Sequence, residues 1–331
     1  MEILESFQAP SLPFLLRGAE DRGRLKEKEA NHFGGKMIET ILNILFSGVF
    51  NASTLFLVAA GLQVVFGVQK VFNLACGTFY ALGAYVGITV VKSLVAGGFP
   101  TPLFIVPLIV AGLLLGFIGP IFERGLIKFV YDRDETFQLL LTFAIVMMIE
   151  DIIKFIWGTS PQTMGGIDLV YGQLNILGAT IPVYNLIVIG CSFGIAILIG
   201  YILLNTKFGR TIRATADKRE MSEALGINMT WVYVKVFTLG TILGTLGGSL
   251  VIPAGAAVSE MGVELIVLAF AVVVIGGLGS MKGAFVGALV VGVLKSIAIS
   301  TYPELEMLTI YIIVIVVLVI KPQGLFGGGR V

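Results

Sequence analysis

The run Val183-Tyr-Asn-Leu-Ile-Val-Ile-Gly-Cys-Ser-Phe-Gly-Ile-Ala-Ile-Leu-Ile-Gly-Tyr-Ile-Leu-Leu204 carries no charged side chain. About 20 such residues in a helix cross the ~30 Å hydrocarbon core of a bilayer, so the run reads as a membrane span. It is followed at once by Asn205-Thr-Lys-Phe-Gly-Arg-Thr-Ile-Arg-Ala-Thr-Ala-Asp-Lys-Arg-Glu-Met-Ser-Glu-Ala-Leu-Gly-Ile-Asn228, a stretch built for water. The same alternation recurs along the chain. Apolar runs fall at 42–68, 74–92, 103–122, 137–157, 183–204, 232–252, 262–277, 283–300 and 304–320, the run at 262–277 being short. A membrane barrel would show alternating strands of about ten residues, and these runs do not alternate. The expected fold is an all-α polytopic membrane protein with eight or nine transmembrane helices.

Composition agrees. Of 331 residues, 56% are hydrophobic and 13% charged, against ~25% charged in soluble domains; mean hydropathy is +0.97. The 42 glycines suit membrane helices. A net charge of +1 leaves no footprint for nucleic acid. The only histidine, His32, lies in the N-terminal tail, and Cys76 and Cys191 both fall in apolar runs. Histidine catalysis, a metal cluster and a disulfide framework are therefore not expected. The glycine-rich run at 276–283 lacks the spacing and the Lys-Ser/Thr pair of a phosphate-binding loop. A membrane-embedded enzyme would have to rest on a few carboxylates, and no cofactor is expected on this chain.

Lysine and arginine in short loops set orientation. Arg124, Lys128 and Arg133 lie in 123–135, five basic residues lie in 205–231, and Lys321 and Arg330 lie in the C-terminal tail, whereas 158–182 has none. The basic segments and the C-terminus are thus expected in the cytoplasm, and the glycine-rich loop 158–182 outside. Residues 1–36 mix six basic with six acidic side chains and form no signal peptide. A native start at Met37 would leave only Glu39 before the first span, so 1–36 reads as an N-terminal tail that need not belong to the native chain, ahead of a transmembrane domain at 37–331.

The loop 205–231 holds a helix of about 218–225, with Asp217 and Glu220 spaced as a capping box and Gly226 placed as its stop. Met221, Ala224 and Leu225 share a face, the pattern of a docking helix; Glu223, Arg210, Arg213, Lys218 and Arg219 surround it. A soluble cytoplasmic partner is implied. Asn73, Cys76, Thr78 and Tyr80 gather polar groups at the start of a span, either as a helix start or as a path for an uncharged or zwitterionic solute. Gly240, Gly244 and Gly248, Gly83 and Gly87, and Gly279, Gly283 and Gly287 fall at spacing four, which reads first as packing. The run 275–283 is either a break at membrane depth or a surface turn. Glu150 and Lys154 at i, i+4 read as an ion pair in preference to a proton relay, Glu260 and Glu264 repeat that spacing, and Lys295 has no visible partner.

Several motifs together give a resemblance: Gly61-Leu-Gln-Val-Val-Phe-Gly67, Asn73-Leu-Ala-Cys-Gly-Thr-Phe-Tyr-Ala-Leu-Gly-Ala-Tyr85, Gly209-Arg-Thr-Ile-Arg-Ala-Thr-Ala-Asp217, Ala224-Leu-Gly-Ile-Asn228, Val274-Ile-Gly-Gly-Leu-Gly-Ser280 and Lys321-Pro-Gln-Gly-Leu-Phe-Gly327. From about residue 40 onward the chain resembles the permease subunit of ABC importers for branched-chain amino acids, and in architecture also sugar and urea permeases. The resemblance implies a coupling helix at about Asp217–Asn228 with Glu223-Ala224-Leu225-Gly226 as its motif. It further implies two cytoplasmic ATPase subunits that use ATP, a second permease (related or identical) and an extracytoplasmic solute-binding protein, all at the inner membrane. Cys76-Gly77-Thr78 departs from a common His-Gly-Glu, Leu268 from a common lysine and Lys295 from a frequent glutamate. The rival expectation is an ion-coupled carrier for a small polar solute, acting alone.

Overall fold

The computed structural model describes residues 12–71, 73–131, 133–176, 178–321 and 323–326. Residues 1–11 of the expected tail, and 327–331 with Arg330, lie outside the described residues. The helices are α1 (Leu12–Gln69), α2 (Ala75–Ala96), α3 (Ile105–Gly116), α4 (Gly119–Gly125), α5 (Glu135–Trp157), α6 (Val183–Asn205), α7 (Lys207–Asp217), α8 (Arg219–Ala224), α9 (Met229–Val251), α10 (Met261–Gly276), α11 (Met281–Thr301) and α12 (Glu306–Ile320). Short strands β1 (Gln162–Thr163), β2 (Gln173–Ile176), β3 (Ala179–Pro182) and β4 (Ala256–Ala257) pair as β1–β4 and β2–β3.

Among the described residues, seven helical segments are long and apolar enough to cross a membrane: Lys36–Gln69, Ala75–Ala96, Thr101–Val130, Val183–Asn205, Met229–Ala254, Met281–Thr301 and Pro303–Ile320. Met261–Gly276 is a shorter apolar helix, and α5 is largely apolar, with its charges at Glu135 at its start and Glu150, Asp151 and Lys154 near its end. The chain is thus an all-α polytopic membrane protein. The run expected at 103–122 is not one helix. Pro120 has no N–H to give the carbonyl of Gly116, and the chain breaks between α3 and α4.

Two compact units divide the chain. The smaller comprises α1 as far as Asn43 and Leu174–Ile181; its turn at Gly178 (φ +92°) joins β2 to β3, and Thr180 Oγ1 donates to Asn175 Oδ1 at 2.9 Å. In the larger unit α9 is the central element: 78% of its most apolar window is buried, against 17% for α6 and 6% for α12. Lipid tails are as apolar as leucine, so helices here associate through close packing and hydrogen bonds. The sequence supplies the close approach. A Cβ on Gly244 would sit 3.0 Å from the Cys76 carbonyl oxygen of α2, and one on Gly240 3.0 Å from the Gly61 carbonyl oxygen of α1. Thr245 Oγ1 donates to the Gly112 carbonyl at 2.7 Å, tying α9 to α3; such a bond in a membrane is worth ~0.6–2 kcal/mol.

The glycine-rich run 275–283 is a turn. α10 ends at Gly276, Gly277 adopts φ +102°, and Ser280 caps α11 by accepting from the Gly283 N–H at 3.1 Å. Gly279, expected on a helix face with Gly283 and Gly287, lies in this turn at φ +83° instead. Gln63 Nε2 of α1 donates to the carbonyls of Gly277 (2.7 Å) and Ser280 (2.9 Å). The N–H groups of Leu325 and Phe326 close the carbonyls of Ile275 and Gly276.

Candidate functional site

The polar segment after α6 folds as two helices, not one. Thr206 accepts from the Gly209 N–H at 3.1 Å and starts α7, which continues through Asp217. Asp217 therefore has helical backbone and cannot be the cap of the next helix, since a cap residue must sit outside helical geometry. The cap of α8 is Lys218, whose side chain makes no capping bond, and the expected Asp217–Glu220 capping box does not form. The stop is as expected. Gly226 takes φ +83°, its N–H bonds Glu223 O at 2.9 Å, and the Ile227 N–H bonds Ser222 O at 3.1 Å. On α8, Met221 and Leu225 are 58% and 79% exposed, Ala224 is exposed, and Ser222 turns inward. Arg210, Glu220 and Glu223 are exposed, and Arg213 donates back to the Leu204 carbonyl at 3.2 Å.

α8 contacts the spans at the aromatic side chain of Tyr233. Arg219 pairs with Glu223 at 3.2 Å and its guanidinium stands 5.6 Å from the Tyr233 ring of α9. The Tyr233 carbonyl accepts from Gln69 Nε2 of α1 at 3.0 Å. Its ring lies 4.8 Å from that of Tyr131, whose hydroxyl donates to the fully buried Glu123 of α4 at 2.7 Å. Burial first, then that hydrogen bond to the carboxylate, push the Tyr131 phenol up, so it stays a neutral donor. Arg124 stands 4.6 Å from the Trp231 ring. The loop thus contacts α9 directly, and Tyr233 and Trp231 of α9 link it onward to α1 and α4. Sequence reading missed Gln69 and Glu123; the available signal was a carboxamide or carboxylate inside an otherwise apolar run.

Asn73, Cys76, Thr78 and Tyr80 are all buried, at 1%, 1%, 2% and 4% exposure. Asn73 works locally: its Oδ1 accepts from the Ala75 N–H at 3.1 Å and its Nδ2 lies 3.4 Å from Cys76 Sγ, opening α2. Cys76 and Tyr80 pack among apolar side chains facing α9 and α10. Thr78 Oγ1 is left without a hydrogen-bond partner. The four lie together in the interior, and Thr78 offers an unused buried polar atom there. Gln63 Oε1 and Gln69 Oε1 are likewise buried without partners. Among the described residues, no three His, Cys, Asp or Glu side chains group as a metal ion requires.

Charged groups at the opposite ends of the helices form two clusters. Lys154 pairs with Glu150 at 2.6 Å, as its spacing predicts, and reaches Glu260 ahead of α10 at 3.6 Å. The Ser259 hydroxyl, then its own backbone N–H, and after burial's opposing push the Lys154 ammonium, set Glu260 below the usual carboxylate range. Lys295 has the partner its sequence did not reveal: Glu306 of α12 at 2.9 Å, with Glu264 of α10 at 4.0 Å. Nearby, the pair β1–β4 joins the glycine-rich loop to the α9–α10 connection, and Tyr85 donates to the Ala257 carbonyl at 3.2 Å.

The chain is similar to known proteins over most of its length. The family profile described as branched-chain amino acid transport system / permease component matches residues 44–318. The high-affinity branched-chain amino acid transport system permease protein LivH of Escherichia coli (strain K12) is 25% identical over 302 residues, covering 86% of this chain and 95% of the relative. Protein BraD of the same description from Pseudomonas aeruginosa is 23% identical over 294 residues, with 86% and 95% covered. The ribose import permease protein RbsC of Haemophilus influenzae is 27% identical over 296 residues, with 84% of each covered.

Proposed function

We propose, from the premise that the chain belongs to the family of branched-chain amino acid transport system permease components, that it is the translocating subunit of an ATP-driven importer for branched-chain or related amino acids. It is a multi-pass permease component of an ABC transporter, and that membership sets aside an ion-coupled carrier acting alone. The observation that carries the proposal is α8: a short helix on a polar segment that leaves Met221 and Leu225 exposed while Arg219 fastens it to Tyr233.

In this reading the apolar pair of α8 docks into a groove on a cytoplasmic ATPase, with Glu220, Glu223 and Arg210 at the rim. Two ATPase subunits hydrolyse ATP, this chain binds no cofactor, and a second permease (related or identical) completes the pore. An extracytoplasmic binding protein delivers the solute. Movement of the ATPases shifts α8 and, through Tyr233, Gln69 and Tyr131, the helices α1, α4 and α9. The solute passes near Asn73, Cys76, Thr78 and Tyr80, which become its lining when the helices part. Neutral polar lining suits a zwitterion.

The test is Leu225→Arg in the complete importer. Uptake is expected to fall to background and the ATPase to be lost on purification, while the permease still inserts in the membrane. Normal uptake would refute the coupling role. The resemblance to ribose and fructose permeases supports a second reading, a sugar importer. Ligand binding to the cognate binding protein separates the two: affinity for a pentose or hexose and none for leucine, isoleucine or valine would replace the amino-acid reading.

A further inference from the structure

Beside α7 lies a cleft open to solvent, of about 780 Å³, walled by the end of α1, the α6–α7 elbow and the α10–α11 turn. Its polar lining is mixed in sign. Lys70, whose ammonium stands 5.8 Å from the Phe66 ring, and Arg213, which uses one donor on Leu204, bring positive charge. Asp217 brings a carboxylate. Gln63 also borders the cleft, but it is 3% exposed, with both its amide protons committed to the turn and its Oε1 closed to solvent. The remaining wall is aliphatic, including Val64, Leu203 and Ile212.

Each polar group asks for a complementary one. Lys70 and Arg213 can hold a carboxylate by charge-assisted hydrogen bonds. Asp217 can accept from an ammonium by bonds of the same kind. An aliphatic side chain would lie on Val64, Leu203 and Ile212. We propose that this cleft is a second amino-acid site, which takes a free aliphatic α-amino acid as its zwitterion and through it slows the chain's own transport. The inference rests on the importer reading above, which puts this face in the cytoplasm. The ligand would bridge α7 to the turn at 278–281 and so resist the movement of α7 and α8 that transport requires. Accumulated product would restrain its own uptake.

The probe is L-leucine. The complete importer is reconstituted in proteoliposomes with binding protein and labelled leucine outside, and ATP with or without unlabelled leucine trapped inside. Trapped leucine is expected to slow initial uptake, whereas isovalerate or isoamylamine, each carrying one of the two charges, is not. Lys70→Gln should retain uptake without trapped leucine and raise the half-inhibiting concentration about tenfold, the effect of losing ~1.4 kcal/mol of binding. Unslowed uptake by the wild type, or equal inhibition of Lys70→Gln, overturns the site and leaves the importer reading intact. Equilibrium binding of labelled leucine to the detergent-purified importer without binding protein gives the answer independently of transport: binding weakened by Lys70→Gln supports the site, and absent or Lys70-independent binding refutes it.

Discussion

At the scale of single residues, Gln63 shows how one amide can hold two segments together. Its two N–H groups reach carbonyls of Gly277 and Ser280, more than 200 residues away. Gln63→Leu removes both donors, while the Gly277 and Ser280 carbonyls keep the N–H groups of Ser280 and Ala284, so the loss is that of two hydrogen bonds, ~0.5–1.5 kcal/mol each. A lower midpoint of thermal unfolding in detergent is the expected outcome; an unchanged midpoint would show that water replaces the amide. Gly226 is a second case. Its φ of +83° costs an alanine ~1–2 kcal/mol, so Gly226→Ala should fray α8 and speed hydrogen exchange of the amides at positions 226 and 227. This stop was legible in the sequence because a helix terminus is a local signal. The partner of Lys295 was not, because Glu306 reaches it only after the chain turns between α11 and α12. The cap at Asp217 misled for the converse reason. The residues before it also favour helix, and α7 simply absorbed it.

Between elements, contact in lipid is decided by how closely backbones approach. Gly244 of α9 faces the carbonyl of Cys76 and the Phe79 side chain, whereas Gly194 of α6 has nothing within 4 Å of where a Cβ would stand. The two sites should respond oppositely. Gly244→Val overpacks the α2–α9 contact at a cost of ~1–3 kcal/mol, while Gly194→Ala removes a flexible residue from a helix and gains up to ~1 kcal/mol. Thermal unfolding of the two variants in detergent measures this, and equal responses would refute the assigned packing. The spacing of Gly240, Gly244 and Gly248 announced this face in the sequence, yet it did not say which helix lies opposite. The ion pairs link elements too. Lys154→Met strands Glu150, which is 8% exposed, so it should destabilise more than Glu260→Gln, whose side chain is 68% exposed and screened by water. Glu260 is held below its unfolded value, so its small contribution is present at neutral pH and is lost as the pH falls through the folded value. Acid titration of stability should therefore be slightly flatter in Glu260→Gln.

For the whole molecule, the order of apolar runs fixed the order of helices, because ~20 apolar residues have one stable form in a bilayer. Their arrangement around α9 could not be read the same way, since every run is apolar on all sides and only the small residues distinguish one face from another. Sidedness rests on a different quantity, the count of lysine and arginine in short loops. Five basic residues in 205–231 against none in 158–182 predict that α7 and α8 lie in the cytoplasm and the glycine-rich loop outside. Thr159 and Glu220 are both exposed, one in each loop. In a background with Cys76→Ala and Cys191→Ser, Thr159→Cys should react with a membrane-impermeant maleimide added to intact spheroplasts, and Glu220→Cys only after the membrane is opened. The reverse pattern would place α8 on the side away from any ATPase. The coupling role of Leu225 and the cytoplasmic amino-acid site at Lys70 would then fall together, because both depend on which face of the membrane the α7–α8 segment occupies.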